Sequence, residues 1–293
     1  MRVAQEFIPG SAKVQSMSIK NPYVPELAVI EKITEETWDT KTFRAAFVNE
    51  EFRENFTYKP GQFQLVSVFG VGEATFCLTS APTRKGFVEF SVKKVGTVTS
   101  ALHELDEGTT VGIRAPLGNR FPYERFKGKD LWFIGGGIGM APLRSLLNFC
   151  LDNRRDYGKI GIIYGARSSA DLCFTYEYDE WQKSPNTELF LTIDKEEEGW
   201  AKNVGFVPTY LMDLKPSPKN AIAITCGPAI MIKYVLQDLK ELGFEDEQIW
   251  TTLEMKMKCG IGKCGRCNIG HIYVCTDGPV FSHAQLKELP PEY

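Results

Sequence analysis

Four of the chain's eight cysteines fall between residues 259 and 275, in the run CGIGKCGRCNIGHIYVC. Their spacing, Cys259-x4-Cys264-x2-Cys267-x7-Cys275, restricts what the end of the chain can be. Zinc sites are mostly built from two C-x2-C pairs, or from cysteine and histidine with finger spacing. A C-x4-C-x2-C run followed by one distant cysteine is instead the ligand pattern of a plant-type [2Fe–2S] cluster. Gly260, Gly262, Gly265 and Gly270 let the backbone come close, so that amide N–H groups point at sulfurs carrying negative charge. Lys256, Lys258, Lys263 and Arg266 add positive charge, which raises the potential of an anionic cluster. A zinc knuckle that ties down the tail is the alternative reading; His271, inside the last interval, could replace a thiolate, and an exposed histidine is the expected reading. The piece from 254 to 293 is short enough that it seldom folds without a metal or staple. It reads as a metal-stapled appendage.

The rest of the chain has two rhythms. From 27 to 124 the runs LAVIEKIT, TFRAAFV, GQFQLVSVF, FVEFSVKKV and TTVGIRAPL are rich in Val, Phe and Thr, and turn signals separate them. Closely spaced strands of this kind predict a small antiparallel β-barrel. After Lys127-Gly128-Lys129 the strands DLWFIG, KIGIIYG, ELFLTID, AIAITC and QIWTTLE alternate with helix-like stretches such as MAPLRSLLNFCLDNRR. That alternation predicts a parallel α/β sheet over 125–253. Residues 1–26 mix proline, serine and lysine with isolated apolar residues and read as an extended arm.

Composition sets the class. The net charge of -3 gives no reason to expect nucleic acid. The N-terminal run lacks the apolar core of a secretory signal, and LWFIGGGIGMAPL is too short and glycine-rich to span a bilayer. A soluble, cytoplasmic protein is expected, without membrane insertion. Cys150 and Cys173 read as buried small hydrophobes of a reducing compartment. His103 and His283 read as surface or packing residues, and no Ser/His/Asp or paired-carboxylate constellation stands out.

Two stretches suit phosphates. FIGGGIGMAPLRSLL follows a predicted strand and opens a predicted helix, with Gly135, Gly136, Gly137 and Gly139 in the turn and Pro142 in the first helical turn. A helix start of this kind offers free amides and a positive dipole end to a pyrophosphate. In VGTVTSALHEL, Gly96 with Thr97, Val98, Thr99 and Ser100 resembles a capped helix start; an ordinary cap and an anion site are equal readings of it.

In order along the chain stand PGQF, FCLTSAP, VGTVTSAL, APLGNRFP, GGGIGMAPL, YGAR and CGP. This series resembles the ferredoxin–NADP⁺ reductase superfamily over nearly the whole chain. With MKCGIGKCGRCNIG and YVCTDGPVF it is similar to electron-transfer subunits that carry FAD and [2Fe–2S] together. Such subunits include the gamma subunits of cytoplasmic NiFe sulfhydrogenases and the corresponding subunit of anaerobic sulfite reductase. The electron-transfer subunit of dihydroorotate dehydrogenase and the small subunit of NADH-dependent ferredoxin–NADP⁺ oxidoreductase resemble it more distantly.

The resemblance implies a fold and a set of contacts. The barrel over 27–124 would bind FAD, the α/β domain over 125–253 NAD(P)H, and the segment over 254–293 the [2Fe–2S] cluster. Phe76, Cys77, Leu78, Thr79, Ser80 and Val92 would line the flavin, with the Phe76 ring against the isoalloxazine. Where relatives carry arginine and serine this chain has Ala74 and Cys77. The flavin pyrophosphate would therefore rest on Gly96, Thr97, Val98 and Thr99. The Cys77 thiol, a weaker donor than a hydroxyl, would tune the flavin. The turn through Gly135, Gly136, Gly137, Gly139 and Pro142 would take the nicotinamide nucleotide's pyrophosphate. Cys226, Gly227 and Pro228 would sit beside the nicotinamide, and Arg167 near the adenosine ribose without choosing between NADH and NADPH. Cys77 and Cys226 are thus the candidates at the reacting centre.

Hydride transfer moves two electrons and the cluster accepts one, so flavin belongs between nicotinamide and cluster. The resemblance implies a diaphorase subunit that exchanges electrons with iron–sulfur centres of a partner oxidoreductase, of NiFe hydrogenase type. A stand-alone NAD(P)H:ferredoxin reductase and a zinc-stapled redox or nucleotide sensor are the competing readings.

Overall fold

The computed structural model describes residues 21–290, so most of the arm expected over 1–26 lies outside the described residues. The barrel half consists of β1 (Glu26–Thr37), β2 (Thr40–Phe47), α1 (Glu50–Asn55), β3 (Phe63–Val68), β4 (Gly72–Cys77), β5 (Val88–Lys93), α2 (Thr97–His103) and β6 (Thr110–Leu117). Its six strands run in the order β4-β3-β6-β1-β2-β5, every pairing antiparallel. The sheet curls until its outer strands meet. The Thr79 amide, just past β4, donates to the Glu89 carbonyl in β5 at 2.8 Å, and the Phe76 and Phe90 rings lie 5.7 Å apart. Alternate residues of β5, namely Val88, Phe90 and Val92, point into a core shared with Ile30, Phe43, Val66 and Leu102. Period-two alternation of apolar side chains of this kind fixes the strand register.

The second half alternates strand and helix: β7 (Asp130–Gly136), α3 (Met140–Asp152), β8 (Ile160–Ala166), α4 (Tyr178–Lys183), β9 (Thr187–Ile193), β10 (Asn203–Val204), α5 (Val207–Leu214), β11 (Ala221–Cys226), α6 (Ala229–Glu241) and β12 (Ile249–Thr252). Its strands pair in parallel in the order β10-β9-β8-β7-β11-β12. The two faces of β7 feed different cores. Leu131 and Phe133 pack with Leu143, Leu146 and Leu147 of α3, whereas Trp132 and Ile134 pack with Leu211 of α5 and Val235 of α6. Helices on both faces explain why these strands read as continuous apolar runs.

The last segment holds a hairpin of β13 (Asn268–Ile269) and β14 (Ile272–Tyr273), then α7 (Val274–Asp277), β15 (Val280–Ser282) and α8 (His283–Leu286). It is not a free appendage. β15 pairs antiparallel with β12 and extends the nucleotide-domain sheet to seven strands. Asn119, after the last barrel strand, donates through Nδ2 to the Asp277 and Val280 carbonyls at 2.7 and 2.8 Å, and its Oδ1 accepts from the Val280 amide at 2.9 Å. His283 opens α8, with Nδ1 3.1 Å from Asp246 Oδ1. Among the described residues no helix is long and apolar enough to cross a membrane.

Candidate functional site

A cleft of about 1050 Å³ opens where the barrel meets the carboxyl ends of the parallel strands. Ligands of open α/β sheets bind at such strand ends. Gly136, Gly137, Gly139, Arg167, Gly227 and Pro228 all line it, which joins separate motifs of the sequence in one place. The glycine turn and the Cys226-Gly227-Pro228 loop touch. A Cβ on Gly139 would stand 2.5 Å from Gly227 Cα and 2.6 Å from the Cys226 carbonyl oxygen, so only bare backbone fits there. Gly135 lies behind the turn at the end of β7, and Pro142 falls within the first turn of α3. Tyr164 of the YGAR motif holds the turn from beneath. Its hydroxyl donates to the Gly137 carbonyl at 3.0 Å and accepts from the Cys173 amide at 3.0 Å.

Cys77 and Cys226 come to the same junction. Cys77 ends β4 of the barrel, yet it packs on the nucleotide-domain core that contains Cys226. Burial pushes the Cys77 thiol up to about 11, against the contact with Thr79, and the Glu254 carboxylate adds to the rise. Burial likewise pushes Cys226 up to about 12, despite the hydrogen bond that the Thr252 hydroxyl donates to its sulfur at 3.0 Å. Both sulfurs are therefore neutral thiols at physiological pH, suited to packing and weak donation rather than nucleophilic attack. Glu254, which also lines the cleft, was not legible as a site residue because it stands at the unremarkable end of a strand-like run.

The remaining flavin candidates divide into two groups. Phe76 is partly exposed and packs on the barrel core together with Val98 of α2, so the aromatic ring and the Gly96–Thr99 turn share one side of the barrel. Gly96 is extended, at φ -164°, and its amide donates to Thr99 Oγ1 at 2.8 Å, as does the Val95 amide at 2.9 Å. Leu78, Thr79, Ser80 and Val92 are at most 1% exposed. The Ser80 hydroxyl lies 2.7 Å from the Tyr58 hydroxyl and accepts from the Glu89 amide at 3.0 Å. These four side chains are part of the barrel interior.

The four cysteines proposed as cluster ligands lie in the segment that packs against Phe63 of the barrel. Cys259, Cys267 and Cys275 are buried with Phe63, Val274 and Phe281, and Cys264 is exposed. Backbone amides aim at the sulfurs as the glycine pattern anticipates. Cys259 Sγ accepts from Lys263 and Cys264 at 3.3 and 3.4 Å, and Cys275 Sγ accepts from Gly262 at 3.2 Å. Burial raises the Cys259 thiol, but the amides of Ile261, Cys264 and Lys263 prevail and hold it at about 6, whereas burial and the adjacent Cys267 push Cys275 up to about 12 despite the Gly262 amide. Such donors stabilise thiolate sulfur, which is what an iron–sulfur cluster requires of its surroundings. Among the described residues no three His, Cys, Asp or Glu side chains form a group that could hold a metal ion. Gly260, at φ +74°, brings the segment so close to the barrel that a Cβ would strike Leu117 and Leu65 at 2.7 and 2.8 Å. Arg114 anchors the same point by donating to the Cys259 carbonyl at 3.0 Å. His271 is exposed, as its place in the sequence suggests.

Phe63 connects this segment to β4. It packs among the cluster cysteines, and across the β3–β4 pair its register partner is Cys77. One aromatic side chain thus lies between the junction of the two domains and the cysteine segment.

Comparison with known proteins agrees with this geometry. The oxidoreductase FAD-binding domain family matches residues 27–123, and the oxidoreductase NAD-binding domain family residues 133–237. The iron–sulfur cluster binding domain of dihydroorotate dehydrogenase B matches residues 254–287. Sulfhydrogenase 1 subunit gamma of Pyrococcus furiosus is 38% identical, over 92% of this chain and 94% of the relative. A probable dihydroorotate dehydrogenase B (NAD(+)) electron transfer subunit of Thermococcus kodakarensis is 35% identical, over 87% and 97%. Among solved structures, a chain of the NADH-dependent reduced ferredoxin-NADP oxidoreductase is similar with a TM-score of 0.72 and 25% identity, covering 90% of each chain. The chain has a ferredoxin–NADP reductase-like fold with FAD, NAD(P)H and iron–sulfur segments in that order, and it belongs to the family of flavin and iron–sulfur electron-transfer subunits that includes sulfhydrogenase gamma subunits.

Proposed function

We propose that this chain is the NAD(P)H-linked electron-transfer subunit of a cytoplasmic, NiFe hydrogenase-type complex, exchanging electrons with iron–sulfur centres of a partner subunit. The observation that carries the reading is the single strand pair that bears Cys77 on the flavin side and Phe63 against the cluster cysteines. FAD, when bound, supplies the exchange between a hydride and single electrons that a nicotinamide and an iron–sulfur cluster cannot make directly. The protein's part is positional. Phe76 would stack on the isoalloxazine, the Gly96–Thr99 turn would take the flavin pyrophosphate, and Gly137 and Gly139 would admit the nucleotide pyrophosphate. Cys226 and Cys77, both neutral and part of one apolar junction, would exclude water where hydride moves.

The exposed edge around Cys264 favours a protein partner. Lys256, Lys258, Lys263 and Arg266 are all exposed beside it, and such a cationic rim suits an acidic face on the partner. The test is an anaerobic visible titration of the purified chain with NADH and, in parallel, NADPH. Flavin bleaching followed by loss of iron–sulfur absorbance is the expected course. A colourless protein after iron–sulfur reconstitution and FAD addition would sink the proposal. Full activity of a stable monomer with ferredoxin, and none with a hydrogenase partner, would replace it with the stand-alone reductase.

A further inference from the structure

Arg167 alone does not choose between NADH and NADPH, but its neighbours in the folded chain do. Resting on the nucleotide reading above, we infer that the turns after β8 and β9 select NADH, with Asp194 accepting the ribose diol and Asp171 holding Arg167 away from a 2′-phosphate. The topology gives the direction. The glycine turn follows β7 and the Cys226–Pro228 loop follows β11, on one side of it, whereas β8 and β9 lie on the other. A pyrophosphate on the turn with its nicotinamide toward Cys226 therefore extends its adenosine toward β8 and β9.

Three carboxylates, Asp171, Asp194 and Asp238, line the nucleotide-domain side of the cleft, and the only cation lining that side among the described residues is Arg167. Arg167 Nη2 is already 3.0 Å from Asp171 Oδ1. The other cation lining the cleft, Lys93, belongs to the barrel and sits 3.3 Å from Asp39. The donors that a phosphate would need in this turn are also taken. Ser168 Oγ donates to Asp171 Oδ2 at 2.9 Å, and the Ser169 amide and hydroxyl both donate to Glu197. Asp194 is different. Its amide is fixed to the Ala166 carbonyl at 3.1 Å, while its carboxylate has no hydrogen-bond partner among the described residues.

Residues 194–198 read Asp-Lys-Glu-Glu-Glu, four carboxylates to one ammonium. A 2′-phosphate would bring about two further negative charges into that field. A vicinal diol brings two donors, which a free carboxylate can accept, and this is the usual role of an acidic residue at the ribose of NAD. Carboxylates thus outnumber cations where the two cofactors differ.

The experiment is calorimetry on the cofactor-loaded protein with 5′-AMP and 2′,5′-ADP as probes, at fixed ionic strength, so that no turnover is needed. The wild type should bind 5′-AMP tighter than 2′,5′-ADP by about tenfold or more, the worth of one charged hydrogen bond. Asp171→Ala should release Arg167 and bring 2′,5′-ADP at least level, with Asp171→Asn as a gentler version of the same change. Asp194→Asn should weaken 5′-AMP. Tighter binding of 2′,5′-ADP by the wild type overturns the inference, as does a ratio that none of these substitutions moves. Failure of both probes and of NADH to bind overturns the reading of the cleft itself, which is a separate result.

Discussion

The Arg144 guanidinium on α3 reaches out of the nucleotide domain and meets the Glu89 carboxylate of β5 at 2.7 Å, inside the domain boundary. Its other nitrogens hold both oxygens of Glu177, at 2.7 and 2.6 Å. All three groups are at least nine-tenths buried. Burial raises the Glu89 carboxyl, and the charge and hydrogen bonds of Arg144 and Arg44 reverse that, so it lies below the usual range. Next to this ion pair, Ser145 Oγ donates to the Ser80 carbonyl at 2.7 Å. The residues that follow β4 are thereby fixed to α3, the helix that follows the glycine turn.

Removing Arg144 would leave buried Glu89 with Arg44 as its one cation, and buried Glu177 with Asn148 and a longer contact to Arg84. Arg144→Met should cost about 3 to 5 kcal/mol of stability, as for other buried pairs broken from one side. Arg144→Lys should rescue little, because an ammonium cannot serve two carboxylates in the same forked geometry. Chemical denaturation of the three proteins compares them directly, and a loss below about 1 kcal/mol, the value of an exposed pair, would contradict the account.

Phe63 offers a second prediction, at the other junction. It is 2% exposed and contacts the cysteine segment, so Phe63→Ala should destabilise the chain by about 3 to 5 kcal/mol. The flavin side keeps Phe76 and α2, so FAD content should hold while iron content falls. Equal retention of both cofactors would mean that Phe63 only fills space.

What could be read in the sequence was local. The cluster spacing, the glycine turn and the period-two strands each place their chemistry within a few residues, and each predicted element of the nucleotide sheet is found close to its place. β4 was harder to see as a strand: GEATFC holds little of the Val, Phe and Thr pattern, and its residues are half-covered by other parts of the chain. β15 has three residues, too few for any periodicity, and it forms only because β12 offers an open edge. Arg144 reads as an ordinary helix residue, since its carboxylates stand 55 and 33 positions away in sequence. Glu254, Asp171 and Asp194 likewise acquire meaning only once the cleft brings them together.

The cysteine assignment can be tested residue by residue. Replacing Cys259, Cys264, Cys267 or Cys275 by serine should abolish the iron–sulfur electron paramagnetic resonance signal of the reduced protein and leave flavin absorbance in place. Wild-type chain should hold about two irons, as a [2Fe–2S] cluster requires. Cys264 is the informative one, because it is exposed and adds nothing to the buried core. Stoichiometric zinc in the wild type, with Cys264→Ser still binding it, would revive the zinc-knuckle alternative.

Glu36 gives a pH dependence whose sign is fixed. It lies near the tip of the β1–β2 hairpin, where Oε2 accepts from the Phe174 amide at 2.7 Å and Oε1 from the Tyr176 hydroxyl at 3.0 Å. These bonds tie the barrel hairpin to the nucleotide domain beside the cleft. Burial raises the Glu36 carboxyl above its ordinary 4.5, and the hydrogen bonds from Phe174, Thr42 and Tyr176, with the charge of Arg144, only partly offset it. The folded state therefore binds the proton more tightly than the unfolded chain does. Its contribution to stability is fully present below pH 4.5 and is lost as the pH rises through the raised value. Glu36→Gln keeps an acceptor for the Phe174 amide and has no charge to lose. It should flatten the fall in stability above pH 4.5 and leave the mutant more stable than the wild type at neutral pH. Urea denaturation across a pH series measures both effects. A mutant curve parallel to the wild type's would mean that the hairpin contact does not titrate.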